Sequence, residues 1–349
     1  MTPLRESADN GIKLTAQNTE KAMISKKIHY YRRLWQVYRA YKQKKTALPY
    51  LPVRLWVEAT SICNLRCVMC PNKDLKKEDK GFMDFGLFQK IIDEARGFVF
   101  DVNLIHRGEG LLHPEFPKLV EYAREAGITT KFHTNATLLD EQKSHDLIAA
   151  GLDQISFSFD GYDKATYESI RVNADFDKTL ANIVGFLRIK QQLKSKKPYA
   201  ILELINFPDV YKDSDRRQRK KFLEHFQGLP LDRIEVKEMH NWAGEINGPG
   251  KGKKYSPCTF LWQALIIFWD GAVLPCTQDF FGYYILGNVK DSSLAEIWNN
   301  DKMIRLRKKI LAGDIADLET CSNCDRLWRE QFLGVPREYL WKFLLKRMP

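Results

Sequence analysis

The sequence predicts an α/β protein: a partial, TIM-like (β/α)6 barrel, followed by a smaller α+β domain and preceded by a basic helix. Strand-like segments alternate with helical ones over residues 51–241, a Gly/Pro-rich stretch then interrupts the pattern, and Asp270-Gly271 lies between two short apolar runs. Such alternation is typical of a parallel sheet with right-handed crossovers, and an Asp-Gly pair between apolar runs is typical of a hairpin. Six βα units indicate a partial barrel rather than a closed one of eight.

Six segments rich in β-branched and aromatic residues predict the strands of the barrel. In a parallel sheet of this kind, functional groups gather at the carboxyl ends of the strands. We therefore expect functional residues just after these segments. The segments are Val53–Glu58, Val102–His106, Thr129–His133, Gln154–Phe159, Ala200–Ile205 and Arg233–Lys237.

The chain outside the barrel divides into four further parts. Residues 1–18 are polar and lack periodicity, which predicts disorder, and residues 19–48 predict a basic amphipathic helix. Residues 242–257 predict a Gly/Pro-rich linker. Residues 258–349 predict the second domain, which opens with the hairpin and continues into helices.

The composition is that of a globular protein, since 44% of the 349 residues are hydrophobic. No stretch approaches the ~20 apolar residues that span a bilayer, and the first residues lack the apolar core of a signal peptide. The sequence therefore predicts a cytoplasmic protein. In that reducing compartment the seven cysteines are expected to be metal ligands or catalytic groups rather than disulfides.

Much of the net charge of +11 comes from the basic helix, where nine Lys/Arg and no acid occur between Lys21 and Lys45. Several interpretations stay open. The helix could pack its aromatic stripe on the catalytic domain, contact anionic lipid and make the protein peripheral to the membrane, or contact an acidic substrate. No zinc-finger, RNP or helix-turn-helix signature supports nucleic-acid binding.

Three cysteines lie in the loop after the first predicted strand, in the segment Cys63-Asn-Leu-Arg-Cys67-Val-Met-Cys70. Three thiolates on one loop can hold three irons of a [4Fe–4S] cluster and leave the fourth iron without a protein ligand. A zinc site with a missing ligand and a set of buried structural cysteines are the alternatives, and the spacing fits both less well.

This C-x3-C-x2-C loop, after the first strand of a six-unit barrel, resembles the radical S-adenosylmethionine (SAM) superfamily. The resemblance implies that the open iron binds SAM and that the reduced cluster cleaves it to a 5′-deoxyadenosyl radical, which abstracts a substrate hydrogen. It also implies an external electron donor such as flavodoxin or ferredoxin.

Motifs at later strand ends are similar to the SAM-binding segments of the superfamily. In Arg107-Gly108-Glu109-Gly110, the resemblance implies that Glu109 accepts hydrogen bonds from the SAM ammonium. The superfamily more often has Gly-Gly-Glu-Pro, so Arg107 and Gly110 are departures. Met69 stands where an aromatic residue commonly meets the adenine through its backbone.

Two more motifs and one arginine complete this pattern. Thr134-Asn135-Ala136 and Ser158-Phe-Asp160-Gly161 resemble the segments that contact the ribose or methionine part of SAM. For Arg171, the resemblance implies a bidentate pair with the SAM carboxylate. Each short segment, taken alone, is equally typical of the turn that starts a helix.

Four further cysteines, Cys258, Cys276, Cys321 and Cys324, can close a coordination shell. An all-cysteine zinc site is one alternative, because C-x2-C is common in zinc ribbons. The pattern resembles the SPASM extension of radical SAM enzymes, or its shortened twitch form. The resemblance implies one auxiliary [4Fe–4S] cluster. The cysteine pattern is also similar to that of twitch enzymes that oxidise a sugar-like alcohol to a ketone.

These observations favour a radical SAM oxidoreductase that acts on a small polar, sugar-derived substrate and passes an electron to the auxiliary cluster. A base would help, and Glu203 and His240 are candidates by position, although either could be an ordinary polar residue. Alternatives are a maturase of ribosomal peptides, an enzyme that modifies a lipid-linked substrate, and a non-enzymatic iron–sulfur scaffold. The basic helix and the aromatic segment Tyr339–Arg347 leave room for the lipid-linked substrate.

Overall fold

The computed structural model describes residues 28–207, 216–246, 254–328, 330–332 and 335–336. The chain forms two compact units, Met1–Tyr50 and Leu51–Pro349. The predicted disorder of residues 1–18 and the aromatic segment Tyr339–Arg347 lie outside the described residues. Among those that are described, no helix is long and apolar enough to cross a membrane.

In the first unit, helix α1 is described over residues 28–42. Its predicted continuation to residue 48 is wrong, since the backbone leaves the helix after residue 42 and Lys44 has a φ of 54°. Residues 43–45 are Gln-Lys-Lys and offer no apolar side chain to continue the stripe. Tyr31 and Trp35 are exposed, and Trp35 stacks on Tyr38. Contact of this helix with a membrane surface stays a prediction.

In the second unit, all six predicted barrel strands are present and pair in parallel, in the order β6-β5-β4-β3-β2-β1. These strands contribute fully buried residues to the core, including Leu55, Val102, Phe132, Ile155 and Leu202, and Phe132 packs on Phe116 of the helix that precedes its strand. The strands are β1 Arg54–Val57, β2 Asp101–Asn103, β3 Thr129–Thr134, β4 Gln154–Ser158, β5 Tyr199–Asn206 and β6 Arg233–Glu238.

Helices between the strands begin at capping residues that the sequence supplies. Asp84, Asp140, Asp163 and Asp175 each accept a hydrogen bond from a backbone N–H in the first turn of a helix, which satisfies a donor that the helix leaves open. The helices are α2 Phe85–Ala95, α3 Phe116–Glu125, α4 Glu141–Ala149, α5 Lys164–Ile170, α6 Phe176–Gln192 and α7 Arg216–Glu224, followed by α8 Leu294–Trp298, α9 Asp301–Ala312 and α10 Glu319–Ser322.

The C-terminal strands extend the barrel sheet rather than form a separate one. Strand β7, Ala264–Ile267, pairs in parallel with β1, and β8, Ala272–Leu274, returns antiparallel through the predicted Asp270-Gly271 turn. Gly271 has a φ of +91°, which glycine adopts readily. All four residues of β7 are buried, so this strand needs cover on both faces. Strand β9 is Gly287–Asn288, and β10 Gln331–Phe332 pairs with β11 Val335–Pro336.

Candidate active site

The loop after β1 gathers its three cysteines into an apolar setting. Leu65, Cys67 and Met69 are buried together, and Cys63 and Cys70 pack against them. The Cys70 N–H donates to the Cys67 carbonyl at 3.1 Å, which closes the turn between these two ligand candidates. The structure therefore brings together the three thiols that the spacing predicts to act as a group.

Backbone and side-chain bonds fix this loop to the barrel. Two of its N–H groups donate to the carbonyls of Ile170 and Val172 at the end of α5, each at 3.0 Å. The Asn72 amide donates to the Ser61 carbonyl at 2.8 Å and to the Arg107 carbonyl at 2.7 Å. Asn72 is 4% exposed, so it fastens the cysteine loop to the strand-two motif from inside the protein.

Burial and mutual repulsion raise the pKa values of these thiols. Burial, and then the neighbouring Glu109, Cys67 and Cys70, raise the pKa of Cys63 to about 12. Burial raises the pKa of Cys70 to about 11, and that of Cys67 is raised as well. Thiols of this kind are protonated at neutral pH, and a bound metal cluster displaces the protons. Three adjacent thiols, of which Cys67 is buried and the other two are half-buried, fit the ligand set of an iron–sulfur cluster.

The carboxylate of Glu109 lies at the end of strand two and is 2% exposed. It accepts hydrogen bonds from the Thr134 hydroxyl at 2.8 Å, the Asn135 N–H at 2.7 Å and the Leu111 N–H at 3.2 Å. Burial raises the pKa of Glu109, and these bonds oppose the rise. Thr134, which the sequence analysis gave no separate role, thus orients the predicted ammonium acceptor.

Gly108 occupies a position that admits no side chain. A Cβ atom there would overlap the Thr60 carbonyl oxygen and lie 2.6 Å from that of Ile62. We expect Gly108→Ala to lower the free energy of unfolding by about 1–3 kcal/mol, because the overlap forces the backbone apart. Urea unfolding measures this, with Gly185→Ala in α6 as the control. Gly185 has no atom within 4 Å of its Cβ position, so its change to alanine should stabilise by about 0.5–1 kcal/mol. Equal effects at both positions would contradict the expectation.

Asn135 connects the end of β3 to the cysteine loop. Its amide donates to the Asn64 oxygen at 3.0 Å, and the Asn64 amide donates to the Thr137 hydroxyl at 2.7 Å. Asn64 follows Cys63 directly, so this chain of bonds holds the first cysteine against the strand end. Ser158 ends β4, is half-buried, and stands in register with Glu203 of β5.

Asp160 and Arg171 form a buried ion pair beside the cysteine loop. An Arg171 nitrogen, Nη2, donates to Asp160 Oδ2 at 2.6 Å, and the Ile205 N–H donates to the other carboxylate oxygen at 2.6 Å. Arg171 Nη1 lies 3.9 Å from Cys67 Sγ. Burial opposes the charge of Arg171, but Asp160 and Cys67 outweigh it and raise its pKa. The buried Nε of Arg171 has no hydrogen-bond partner in the described chain, which leaves a donor for a ligand carboxylate.

Arg107, which departs from the usual superfamily motif, pairs with Glu58 at the end of β1. Arg107 Nε and Nη2 donate to the two Glu58 oxygens at 2.7 and 2.8 Å, and the side chains are 3% and 0% exposed. The guanidinium also lies 3.5 Å from the ring centroid of Phe268. Arginine is therefore accommodated where the superfamily more often has glycine, and the pair joins β1, the strand-two motif and β7.

Glu203 lies between a histidine and a lysine side chain. His133 Nδ1 is 3.1 Å from one carboxylate oxygen, and the Lys237 ammonium is 2.7 Å from the other. Burial alone would raise the pKa of Glu203, but His133 and Lys237 outweigh it and lower the pKa. A carboxylate held in this way is ionised and a weaker base than an isolated one. Its catalytic role, like that of His240 after β6, stays a prediction.

The four C-terminal cysteines converge although they lie far apart in sequence. Burial, and then Cys258, raise the pKa of Cys276 to about 12. Burial raises the pKa of Cys321, and Cys276, Cys324 and Cys258 raise it further. Cys258 and Cys276 pack against one apolar cluster, and the Cys324 N–H donates to the Cys321 carbonyl at 3.2 Å. Because Cys276 and Cys258 both act on the pKa of Cys321, the two pairs lie near each other. Cys324 is buried and the other three are half-buried. Among the described residues, no three His, Cys, Asp or Glu side chains stand close enough to share a single metal ion.

A polar side chain that the sequence analysis missed lies beside the auxiliary thiols. The Gln278 N–H donates to Cys276 Sγ at 3.3 Å, and the Gln278 side chain is 1% exposed. Both atoms of its amide lack a hydrogen-bond partner in the described part of the chain. Only its position two residues after Cys276 could have drawn attention to it from the sequence.

The loop of three cysteines at the carboxyl end of a parallel barrel, with a second group of four beyond it, defines a radical SAM enzyme with an auxiliary iron–sulfur site. The family described as the radical SAM superfamily matches residues 57–188, and the SPASM iron–sulfur cluster-binding domain matches residues 258–325. The chain belongs to the radical SAM superfamily and carries a C-terminal SPASM domain. Its cofactors are SAM and two iron–sulfur clusters.

Several known proteins resemble this chain over most of its length. The tungsten-containing aldehyde ferredoxin oxidoreductase cofactor-modifying protein of Pyrococcus furiosus is 26% identical and covers 78% of this chain and 88% of its own. The SAM-dependent 2-deoxy-scyllo-inosamine dehydrogenase of Niallia circulans is 22% identical, over 78% of this chain and 92% of its own.

Solved structures share the fold. BtrN in complex with AdoMet and 2-DOIA has a TM-score of 0.54 at 20% identity, and covers 82% of this chain and 96% of its own. SuiB of Streptococcus suis bound to the precursor peptide SuiA has a TM-score of 0.60 at 16% identity, over 82% of this chain and 72% of its own. At these identities the likeness concerns the fold.

Proposed function

We propose that this protein is a radical SAM dehydrogenase that oxidises a small polar, sugar-derived substrate by two electrons, with the auxiliary cluster as the electron acceptor. The observation that carries the proposal is the proximity of two cysteine pairs. Cys258 and Cys276 pack against one apolar cluster, Cys321 and Cys324 share a turn, and the first pair acts electrostatically on Cys321. Four protein thiolates complete the usual ligand set of an iron–sulfur cluster. Such a site has no open position for substrate and is suited to electron transfer.

We assign Cys63, Cys67 and Cys70 to the first cluster. When bound, the cluster and SAM supply a 5′-deoxyadenosyl radical that removes a hydrogen atom from the substrate. The chain's own groups orient SAM. Glu109, held by three hydrogen bonds, would accept the ammonium, and the unpaired Nε of Arg171 would donate to the carboxylate.

The remaining SAM contacts are assigned from position. Asn135, Ser158 and Asp160 end strands β3 and β4, Gly108 lets the strand-two loop approach the Thr60 carbonyl closely, and the Met69 backbone would face the adenine. Asp160 acts through Arg171, because it fixes the guanidinium that meets the ligand. Asn135 and Asp160 are buried, which would help to exclude water from the radical.

Oxidation requires loss of a proton as well as an electron from the substrate radical. Glu203 and His240 are our candidates for the group that accepts the proton. The contacts with His133 and Lys237 lower the pKa of Glu203 and keep it ionised, so it can accept a proton, and they limit its strength as a base. An external flavodoxin or ferredoxin would supply the electron that starts each cycle.

A variant that lacks two auxiliary ligands tests the oxidation. We expect Cys321→Ala/Cys324→Ala to retain formation of 5′-deoxyadenosine from SAM and dithionite, because the first cysteine loop is intact. Formation of the ketone should fall at least ~100-fold, since the substrate radical has lost its electron acceptor, a loss of about 3 kcal/mol in barrier terms. The assay uses a panel of polyols and amino-polyols that includes 2-deoxy-scyllo-inosamine, the substrate in the name of the Niallia circulans relative. If the variant forms ketone at the wild-type rate, the auxiliary cluster is not the electron acceptor.

Peptide modification is the second candidate function. The mycofactocin maturase of Mycobacterium tuberculosis is 34% identical over 145 residues, which is 40% of this chain. Wild-type enzyme that oxidises no polyol of the panel but changes the mass of a ribosomal precursor peptide would favour this function.

A further inference from the structure

The segment after β6, Met239–Ile246, forms a tight turn that we call the bridge segment. Its backbone closes through bonds from the Gly244 and Ile246 N–H groups to the Asn241 carbonyl, at 2.9 and 3.3 Å. Trp242 and Ala243 have φ values of 46° and 60°. Non-glycine residues rarely adopt this left-handed region, and such strain persists only where the surroundings impose it.

One side of the bridge segment contacts the first cysteine loop. The Trp242 indole N–H donates to the Met69 carbonyl at 3.1 Å. Met69 directly precedes Cys70, so the indole fixes the last peptide before this ligand. Met239 and Ile246, at the two ends of the bridge segment, pack against the apolar cluster that contains Met69.

The other side contacts the loops of the auxiliary cysteines. The Asn241 amide donates to the Asn323 carbonyl at 2.8 Å, and its oxygen accepts from the Asp325 N–H at 3.4 Å. Asn323 and Asp325 flank Cys324. The Trp242 ring meets the buried Phe280, four residues after Cys276, edge-on with centroids 5.0 Å apart.

We propose that the bridge segment couples the auxiliary site to the SAM site, with Trp242 as the positioning residue. Cysteine ligands locked at the auxiliary site fix the loops that hold Asn241 and Trp242. Trp242 in turn holds the Met69 carbonyl, and with it the peptide assigned to the adenine. The inference rests on the proposed function only in that SAM binds at the first cysteine loop.

The first test removes the indole donor and keeps the ring. In reconstituted Trp242→Phe enzyme we expect unchanged iron content and about fivefold weaker SAM binding, the effect of one lost hydrogen bond. Anaerobic equilibrium dialysis measures the affinity. Trp269→Phe is the matched control, since the Trp269 indole N–H donates to the Asp79 carbonyl at 3.1 Å, and SAM binding should not change there. Equal affinity in wild type and Trp242→Phe would overturn the role of Trp242.

The second test measures the coupling itself. Cys321→Ala/Cys324→Ala should weaken SAM binding about fivefold in the wild-type background and less than about twofold in the Trp242→Phe background, because coupled changes are not additive. Asn241→Ala keeps every cysteine and so removes no cluster ligand. We expect it to weaken SAM binding about fivefold as well. Independent, multiplicative effects would overturn the coupling.

These outcomes are distinct from failure of the proposed function. If the wild-type enzyme forms no 5′-deoxyadenosine, the proposed function is wrong. If the wild type cleaves SAM and all bridge-segment variants bind SAM with the wild-type affinity, the proposed coupling is wrong and the proposed function stands.

Discussion

Replacing Arg107 by methionine is expected to lower the free energy of unfolding by about 3–5 kcal/mol, because it leaves the fully buried Glu58 carboxylate without its partner. Arg107 also covers the Phe268 ring, and its carbonyl accepts a hydrogen bond from the Asn72 amide. The substitution should therefore weaken the packing where β1, β7 and the cysteine loop meet. Urea unfolding followed by circular dichroism measures the effect.

Two controls separate the buried charge from general damage. In Glu58→Leu/Arg107→Met both charges are gone, and most of the lost stability should return, since a well-packed apolar pair can replace a buried ion pair. Arg96→Ala breaks the exposed pair with Asp93, whose side chains are 51% and 52% exposed, and should cost less than about 1 kcal/mol. A double variant as unstable as Arg107→Met would show that the unpaired charge is not the cause.

Arg171→Lys is expected to weaken SAM binding about 10- to 100-fold while the chain stays folded. The guanidinium holds Asp160 at 2.6 Å, approaches Cys67 Sγ at 3.9 Å and keeps Nε available. A lysine ammonium cannot reach these positions at once, and a bond to a charged group contributes about 1.5–3 kcal/mol.

The affinity is measured on reconstituted enzyme, with the iron content checked first. Arg188→Lys, on the exposed face of α6, is the control and should bind SAM as the wild type does. Should Arg171→Lys bind SAM with wild-type affinity and full iron content, Arg171 serves only to pair with Asp160.

The sequence predicted the barrel well because its strands carry their own signals. All six predicted strands are present, and the capping aspartates mark where helices begin. The pairing of β7 with β1 was not predictable, because it joins segments about two hundred residues apart and depends on which buried strand edge is left open. Helix α1 ends early for a local reason, the loss of apolar periodicity after residue 42.

The candidate site was predictable in its cysteines and in the strand-end motifs, and less so in the contacts between them. Spacing placed Cys63, Cys67 and Cys70 together, and in the structure all three pack in one apolar cluster. The ion pair between Arg107 and Glu58 could not be predicted from the sequence, because a buried ion pair produces no periodic pattern of residues. Trp242 fell at the start of the predicted linker, where a strained turn and ordinary irregular chain look alike in sequence.

Two cluster sites that serve one radical reaction should both be visible in the iron content of the protein. The most direct measurement is anaerobic reconstitution with iron and sulfide, with iron counted per chain and 5′-deoxyadenosine assayed after addition of dithionite and SAM. The variant Cys63→Ala/Cys67→Ala/Cys70→Ala is measured alongside. We predict about eight irons and SAM cleavage in the wild type, and about four irons without cleavage in the variant, since each cluster holds four irons. Wild-type enzyme that binds about eight irons and cleaves no SAM would contradict this prediction.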